Sequence, residues 1–278
     1  MGAPDPNPKV AGGGVAQLER AGIEVVRGVL ERECQEVNHA FFHYIQTGTP
    51  YATLKYAMTL DGKIATVQGA SKWITGAVAR RRVHEDRQRA AAIMVGVGTV
   101  LADDPLLTCR LDEFSDVEGS YADGWVRPHN PVRVVCDSQL RTPLDARVVK
   151  TAGEVTTYLA TTVADKDRQA PYVAHGCRMV VTPARDGRVD LADLMAQLGA
   201  CGLDSVIIEG GSQLAWAALK AHIVSRVQAY VAPKLFGGVG APTPIGGVGV
   251  AAPAEAVALG KPAVTRLGDD LLIECEVG

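Results

Sequence analysis

IMVGVGTVLADDPLLTCR, residues 93–110, opens on β-branched and apolar residues and bends at Gly96-Val97-Gly98-Thr99. A short Val100-Leu101-Ala102 segment follows, then Asp103-Asp104-Pro105 ahead of Thr108-Cys109-Arg110. An apolar run of this kind after a polar helix predicts a buried strand that ends in a glycine turn. Glycines at such a turn let a ligand approach the backbone closely. The acid pair and the arginine then stand near the same mouth. A lone Gly-x-Gly equally describes an ordinary strand, turn and loop, so the rest of the chain has to decide.

At 278 residues and 47% hydrophobic content the chain can bury a sizeable core, as one large domain or two small ones. Only 5% of residues are aromatic, which favours α/β layers filled with small aliphatics. The formal net charge of −3 argues against a broad nucleic-acid or membrane footprint, so any anionic ligand must be held by a few local basic groups. The cysteines at 34, 109, 136, 177, 201 and 275 form no Cys-x-x-Cys pair and read as thiols of a reducing compartment. No apolar signal region and no membrane-length stretch is present, so the expected location is the cytoplasm.

Residues 1–49 differ in texture from the remainder. Asp5-Pro6-Asn7-Pro8 is extended by its prolines, Gly12-Gly13-Gly14 reads as a turn or loop, and residues 15–21 as a helix. Residues 23–26 fit a short strand, and residues 30–47 a helix with Val37, Phe41 and Ile45 on one face. The segment is too small for a core of its own. His39 and His43 have the spacing of a helical metal pair, but no third ligand is placed to complete a site and no metal is expected.

From Pro50 strand and helix signals alternate. Strands are expected at 51–58, 131–136, 155–160, 177–181, 205–208, 227–232, 263–267 and 271–277, the last two as a hairpin across Gly268-Asp269-Asp270. A helix starting at Thr75 or Gly76 and reaching about Arg89 is so charged that it reads as a solvated face. Helices are also expected at 191–200 and 213–221. Residues 111–130 read as an exposed loop, and the glycine-rich 236–250 as a mobile one. The alternation predicts a mixed, mostly parallel sheet flanked by helices, with a C-terminal hairpin.

A second junction, strand to Glu209-Gly210-Gly211 to helix, carries its own meaning. The first N–H groups of a helix lack internal partners and, with the helix dipole, attract anions. An ordinary strand-to-helix turn has the same appearance. If the strands are parallel, both glycine turns face one edge, where open α/β sheets bind ligands. No Gly-x-Gly-x-x-Gly opens a helix, which disfavours a Rossmann dinucleotide site.

Taken in order, Thr53-Leu54-Lys55, residues 59–65 (TLDGKIA), 71–75 (SKWIT), 96–105 (GVGTVLADDP), 107–110 (LTCR), Asp137-Ser138, Glu209-Gly210-Gly211 and 233–238 (PKLFGG) resemble the reductase domain of the riboflavin-biosynthesis deaminase–reductase. The match spans about residues 50–278. The resemblance implies a dihydrofolate-reductase-like fold and an NADPH-dependent reduction of 5-amino-6-(5-phosphoribosylamino)uracil, whose ribose becomes a ribityl chain. It places cofactor contacts at Ala57, Trp73, Thr99, Asp103, Ser138 and the run Gly211, Ser212, Gln213, Leu214, Ala215, Trp216 and Ala217. Substrate contacts fall at Ser71, Arg87, Leu107, Arg110 and Glu209.

These residue types suit the chemistry. Guanidinium forks from Arg87 and Arg110 are a sensible clamp for a phosphate dianion, although a solvated helix would also carry an arginine at 87. Arg141, in the turn after Ser138, is placed to select the extra phosphate of NADPH. Hydride delivery to the opened sugar needs a cation and a proton relay, for which Lys55, Asp103 and Glu209 are the candidate catalytic groups; Lys55 can also be read as a snorkelling strand lysine.

The stretch before Pro50 resembles the tail of the deaminase half of the same family. That half should carry a zinc site with His-x-Glu and a Pro-Cys-x-x-Cys pair, which this sequence lacks, so no deaminase activity is expected of it. The implied partners are the phosphorylated pyrimidine and a second copy of the chain in a homodimer or higher homo-oligomer, with no nucleic acid and no membrane. The alternatives are a non-catalytic subunit docking a separate deaminase through residues 1–49, and a reductase of a related pyrimidine or pterin.

Overall fold

The computed structural model describes residues 1–10, 13–114, 116 and 129–278. Three short helices lead in, α1 (Gly13–Arg20), α2 (Glu31–Val37) and α3 (His39–Thr47). Then come β1 (Tyr51–Thr59), α4 (Ala77–Arg89), β2 (Ala92–Gly96) and α5 (Val97–Asp103). The chain steps outward through β3 (Val132–Cys136), α6 (Arg147–Lys150), β4 (Thr157–Thr161), α7 (Lys166–Ala174) and β5 (Arg178–Val181). A two-stranded ribbon, β6 (Ala184–Arg185) and β7 (Arg188–Val189), precedes α8 (Leu191–Ala200), β8 (Ser205–Glu209), α9 (Ser212–Lys220) and β9 (Arg226–Ala232). The hairpin β10 (Ala263–Leu267) and β11 (Asp270–Glu276) ends the fold.

The main sheet has nine strands in the order β10-β11-β9-β1-β8-β2-β3-β4-β5. Strands β9 through β5 in that order pair in parallel, and β11 runs against β9 and β10. Central strands are apolar on both faces because helices cover both sides. Leu54, Met94, Val206 and Ile208 pack against Leu194 and Leu198 of α8 and Ala218 of α9. On the opposite face Ile93, Val95, Val135 and Leu159 pack against Val100, Val148, Val149 and Tyr172. Alternation along β1 therefore sends Leu54 into the first layer and turns Lys55 toward the side covered by α4.

After β5 the chain returns to insert β8 between β1 and β2. Strand direction of travel reverses there, and such a switch point opens a crevice beyond the carboxyl ends of the strands. The ends of β2, β3 and β8 carry Gly96, Asp137-Ser138 and Glu209-Gly210-Gly211, which sets the location of the site.

Several sequence expectations need correction. The bend after β2 is the first turn of α5: Gly96 is extended (φ −81°, ψ 154°) and the helix begins at the next residue. Residues 23–26 form no strand, and the helix expected over 30–47 breaks at Asn38 (φ −113°, ψ 25°) into α2 and α3, leaving Val37 80% exposed. Gly13 and Gly14 belong to α1, while Gly12 lies outside the described residues. Helix α4 is not simply solvated, since Arg81 and His84 are buried. Of the loop expected at 111–130, Leu111–Phe114 forms a 3-10 turn, and residues 115 and 117–128 lie outside the described residues. Helix α7 and the β6–β7 ribbon were not anticipated, because α7 has a proline in its interior and the ribbon is only two residues wide. No described helix is long and apolar enough to cross a membrane.

Residues 1–49 lean on the sheet domain through α3. Tyr44 donates from its hydroxyl to the Gly199 carbonyl at 2.9 Å, and the His39 ring sits 4.4 Å from that of Tyr51. His43 lies 5.6 Å from the same ring, so this histidine pair makes aromatic contacts with β1.

Candidate active site

Two strand-to-helix junctions, β2–α5 and β8–α9, lie side by side and with the end of β3 enclose a cleft of about 560 Å3. Gly96, Val97, Gly98, Ser138, Gly211, Ser212 and Gln213 line it, so both glycine bends open on one cleft. Gly210 and Gly211 have φ of +86° and +89°, a region that side chains disfavour. A Cβ on Gly210 would stand 3.1 Å from the Thr99 hydroxyl, which shows how tightly the two junctions approach. The N-terminal amides of α9 open toward this space. Arg141 and Arg188 stand on its wall, and among the described residues no aspartate or glutamate lines it.

The run 211–217 does not face the cleft as a block, because a helix turns its residues through successive directions. Gly211, Ser212, Gln213, Leu214 and Ala217 line it. Ala215 is buried in the core, and Trp216 lines an apolar hollow beside Leu54 and Tyr56. Ser138 accepts the Val189 N–H at 3.0 Å, fixing the β6–β7 ribbon and hence Arg188 against the cleft. Ala57 packs between β1 and α4.

Beside the cleft lies a cluster of buried charge. Lys55 and Glu209 are register partners on β1 and β8. Arg87, reaching from α4, grips Glu209 in a fork, Nε to Oε1 at 2.7 Å and Nη2 to Oε2 at 2.8 Å, while its Nη1 donates to the Thr108 carbonyl at 3.0 Å. Lys55 Nζ approaches Glu209 Oε2 at 3.5 Å and lies 5.5 Å from the Tyr230 ring centre. Burial by itself raises the Glu209 pKa, but the charges of Arg87 and then Lys55 outweigh it and hold the carboxyl at about 2. Glu209 is therefore ionised at neutral pH and has no proton to give.

In the structure the Arg87 guanidinium is engaged by Glu209 and by the Thr108 carbonyl. Arg110 is less tied: Nε donates to Glu113 at 3.0 Å, Nη1 to the Thr108 hydroxyl at 3.1 Å, and the side chain is 30% exposed. Leu107, between them in the fold, is buried at φ +54°. Asp103 is not brought to the cluster; it is exposed at the far end of α5, next to Asp104, whose carboxylate accepts the Arg147 N–H at 2.8 Å. Of the expected trio, Lys55 and Glu209 are in contact with each other.

Ser71 and Trp73 sit on the loop between β1 and α4. Trp73 is 62% exposed, with the Arg80 guanidinium 4.7 Å from its ring. Two residues that sequence reasoning left unassigned hold this loop. Lys234 donates to the carbonyls of Trp73 and Ile74 at 3.1 and 2.7 Å, and Asp61 accepts the N–H groups of Phe236 and Gly237 at 3.2 and 2.7 Å. The Thr59 hydroxyl and these amides draw the Asp61 pKa down to about 2. His84 and Arg188 were also missed. The signal for His84 was its position three before Arg87 on one helix, which puts both on one face; Arg188 gave none, since a two-residue ribbon has no periodicity to read.

The chain is similar to known proteins over most of its length. The model of the RibD C-terminal domain matches residues 50–273. The riboflavin biosynthesis protein RibD of Actinobacillus pleuropneumoniae is 49% identical over 274 residues, covering 99% of this chain and 69% of that protein. RibD of Escherichia coli is 40% identical, covering 84% of this chain and 62% of its own length as aligned here for 234 residues. Among solved structures, RibD of Acinetobacter baumannii superposes with a TM-score of 0.82 at 30% identity, over 100% of this chain and 72% of that one. A Thermotoga maritima protein described as a diaminohydroxyphosphoribosylaminopyrimidine deaminase/5-amino-6-(5-phosphoribosylamino)uracil reductase gives 0.81 at 32% identity, over 100% and 70%. The chain spans about two thirds of the length of these relatives. With a family match over residues 50–273 and a relative 49% identical along nearly the whole chain, the chain belongs to the RibD C-terminal domain family.

Proposed function

We propose that this chain reduces 5-amino-6-(5-phosphoribosylamino)uracil to its ribityl product with NADPH as hydride donor. The observation that carries the reading is the glycine-lined, arginine-walled cleft beside the Arg87–Glu209–Lys55 cluster. The residues present fit the cofactor. Gly96, Gly98 and Gly211 leave room for a pyrophosphate against backbone, and Arg141 and Arg188 offer charge to a phosphate on the adenosine ribose. NADPH, once bound, supplies the hydride.

The protein's part is orientation and proton supply. The hydride adds to C1′ of the ring-opened sugar as the C=N π pair moves to nitrogen, which then takes a proton. Lys55 is the group placed to give it, its Nζ lying 3.5 Å from Glu209 and facing the Tyr230 ring. Glu209, ionised throughout, holds Lys55 and Arg87 in place. Arg110, beside the cluster, has guanidinium capacity left for the sugar phosphate.

The test is NADPH oxidation followed by absorbance, with the phosphoribosylaminouracil, with no substrate, and with other pyrimidines and pterins. Substrate-dependent oxidation supports the reading. Cofactor binding without turnover overturns it in favour of a docking subunit, and turnover restricted to another heterocycle overturns the substrate assignment.

A further inference from the structure

The segment Leu106–Arg110 holds an unfavourable backbone conformation. Leu107 is 3% exposed and has φ +54°, the left-handed region that a branched apolar side chain rarely adopts. Such a conformation persists only where the surroundings enforce it. Here the tethers are visible. Arg133, fully buried on β3, donates from Nη1 to the Leu106 carbonyl at 3.1 Å. Arg87 holds the Thr108 carbonyl, and Asn130 Oδ1 accepts the Cys109 N–H at 2.9 Å. The last two tethers belong to one residue, His84. Its carbonyl accepts from Cys109 Sγ at 3.3 Å, and its Nδ1 accepts the Arg110 N–H at 2.9 Å.

We propose that His84 is a positioning residue for substrate phosphate: its Nδ1, by accepting the Arg110 N–H, sets the direction in which the Arg110 side chain leaves the backbone. The inference rests on the reading of Arg110 as a phosphate ligand. A backbone N–H can only donate, so Nδ1 must be unprotonated and the ring proton must sit on Nε2. Burial, followed by the charges of Arg87 and Arg110, keeps the imidazole neutral, with its pKa lowered to about 3. The ring also packs at 5.2 Å from Phe114, which limits its rotation. Arg87 and Arg110 both donate from Nη1 to the Thr108 carbonyl, at 3.0 and 3.5 Å. Arg87 is also paired with Glu209, whereas the counter-charge of Arg110 is Glu113, itself about half exposed, so an anion reaching Arg110 has only that surface carboxylate to displace. Without the His84 ring bond, α4 reaches this segment only one and two residues earlier, through the Thr108 carbonyl and the Cys109 thiol, and the Arg110 N–H loses its own tie.

The experiment is steady-state kinetics on His84→Ala, His84→Asn, His84→Gln and Arg110→Ala, with the phosphorylated substrate and its dephosphorylated counterpart. An asparagine oxygen reproduces the place of Nδ1, whereas a glutamine oxygen reproduces that of Nε2. For His84→Ala and His84→Gln we expect KM for the phosphorylated substrate to rise about tenfold, the loss of one hydrogen-bonded constraint, with kcat within about twofold and KM for NADPH unmoved. The preference for phosphorylated over dephosphorylated substrate should fall by the same factor, and His84→Asn should recover most of it. A merely structural role would lower active fraction and kcat while leaving KM and the phosphate preference alone, and that result overturns the proposal. If His84→Ala does not fold, the asparagine–glutamine contrast decides in its place, and equal behaviour of the two overturns it. If Arg110→Ala raises KM while the His84 variants do not, His84 is excluded and the phosphate reading stands. If Arg110→Ala leaves KM unchanged, the phosphate reading fails, and the role of His84 fails with it.

Discussion

The cleft and the buried cluster adjoin each other at the ends of β8 and β2, yet they are built in opposite ways. The cleft is made largely at backbone turns: glycine bends, the start of α9 and two serines, with Arg141 and Arg188 on the wall. The cluster is made of side chains from three distant segments, β1, α4 and β8, each largely satisfied by another. Open donors in the first region await a ligand, whereas committed donors in the second create a fixed field. A preorganised field costs no reorganisation when charge moves during reaction, which is where such clusters help most. Under the proposed function, the contrast assigns Arg87 to holding Glu209 and Lys55 to proton supply.

Changes to the cluster should have the largest effects. Lys55→Met is expected to lower kcat by about 10²- to 10⁴-fold, the usual range for loss of a positioned acid, with both KM values moving about threefold or less. A kcat within a few-fold of the parent would return Lys55 to a packing role. Arg87→Met leaves Glu209 buried with one weak partner and should cost on the order of 3–5 kcal/mol of stability, read from urea unfolding. If stability is unchanged, the fork does not hold the fold together.

In the cleft the effect should appear as cofactor choice. Arg141→Ala and Arg188→Ala are each expected to raise KM for NADPH by roughly tenfold or more while leaving NADH alone, as loss of a charge-assisted bond to phosphate requires. Equal loss with both cofactors would place these arginines away from the distinguishing phosphate.

The smallest effect concerns pH. His84 has its pKa lowered from 6.5 to about 3 in the folded chain. The unfolded chain therefore binds the extra proton first as pH falls below about 6.5, and stability declines progressively toward pH 3. At pH 4.5 the loss should be on the order of 1–3 kcal/mol, and His84→Asn should flatten this part of the profile. An equally steep profile in the variant would assign the decline to other groups.

Much of the cleft was legible in the chain. The apolar run into Gly96 and the Ser-Val-Ile-Ile-Glu run into Gly210-Gly211 signal strand ends, since continuous apolar stretches bounded by glycine suit strands buried on both faces. The bend at Gly96–Thr99 was misread as a free turn because a helix of seven residues offers too little periodicity to separate it from one. The charged helix α4 was misread more deeply. Its composition indicates a surface, and only the sheet beneath it shows that His84 and Arg87 face inward to partners 26 and 122 residues away.

The sequence by itself determined the alternation of strands and helices, the glycine bends and their place at strand ends, because these depend on neighbours a few residues apart. Which arginine is bound to Glu209, the exposure of Asp103 at the end of α5, and the arrival of Arg188 at the cleft wall were decided by the tertiary structure alone. A charged side chain takes its role from whichever opposite charge or carbonyl the fold brings within about 3 Å of it, and that distance is set by sheet order, which no local pattern encodes.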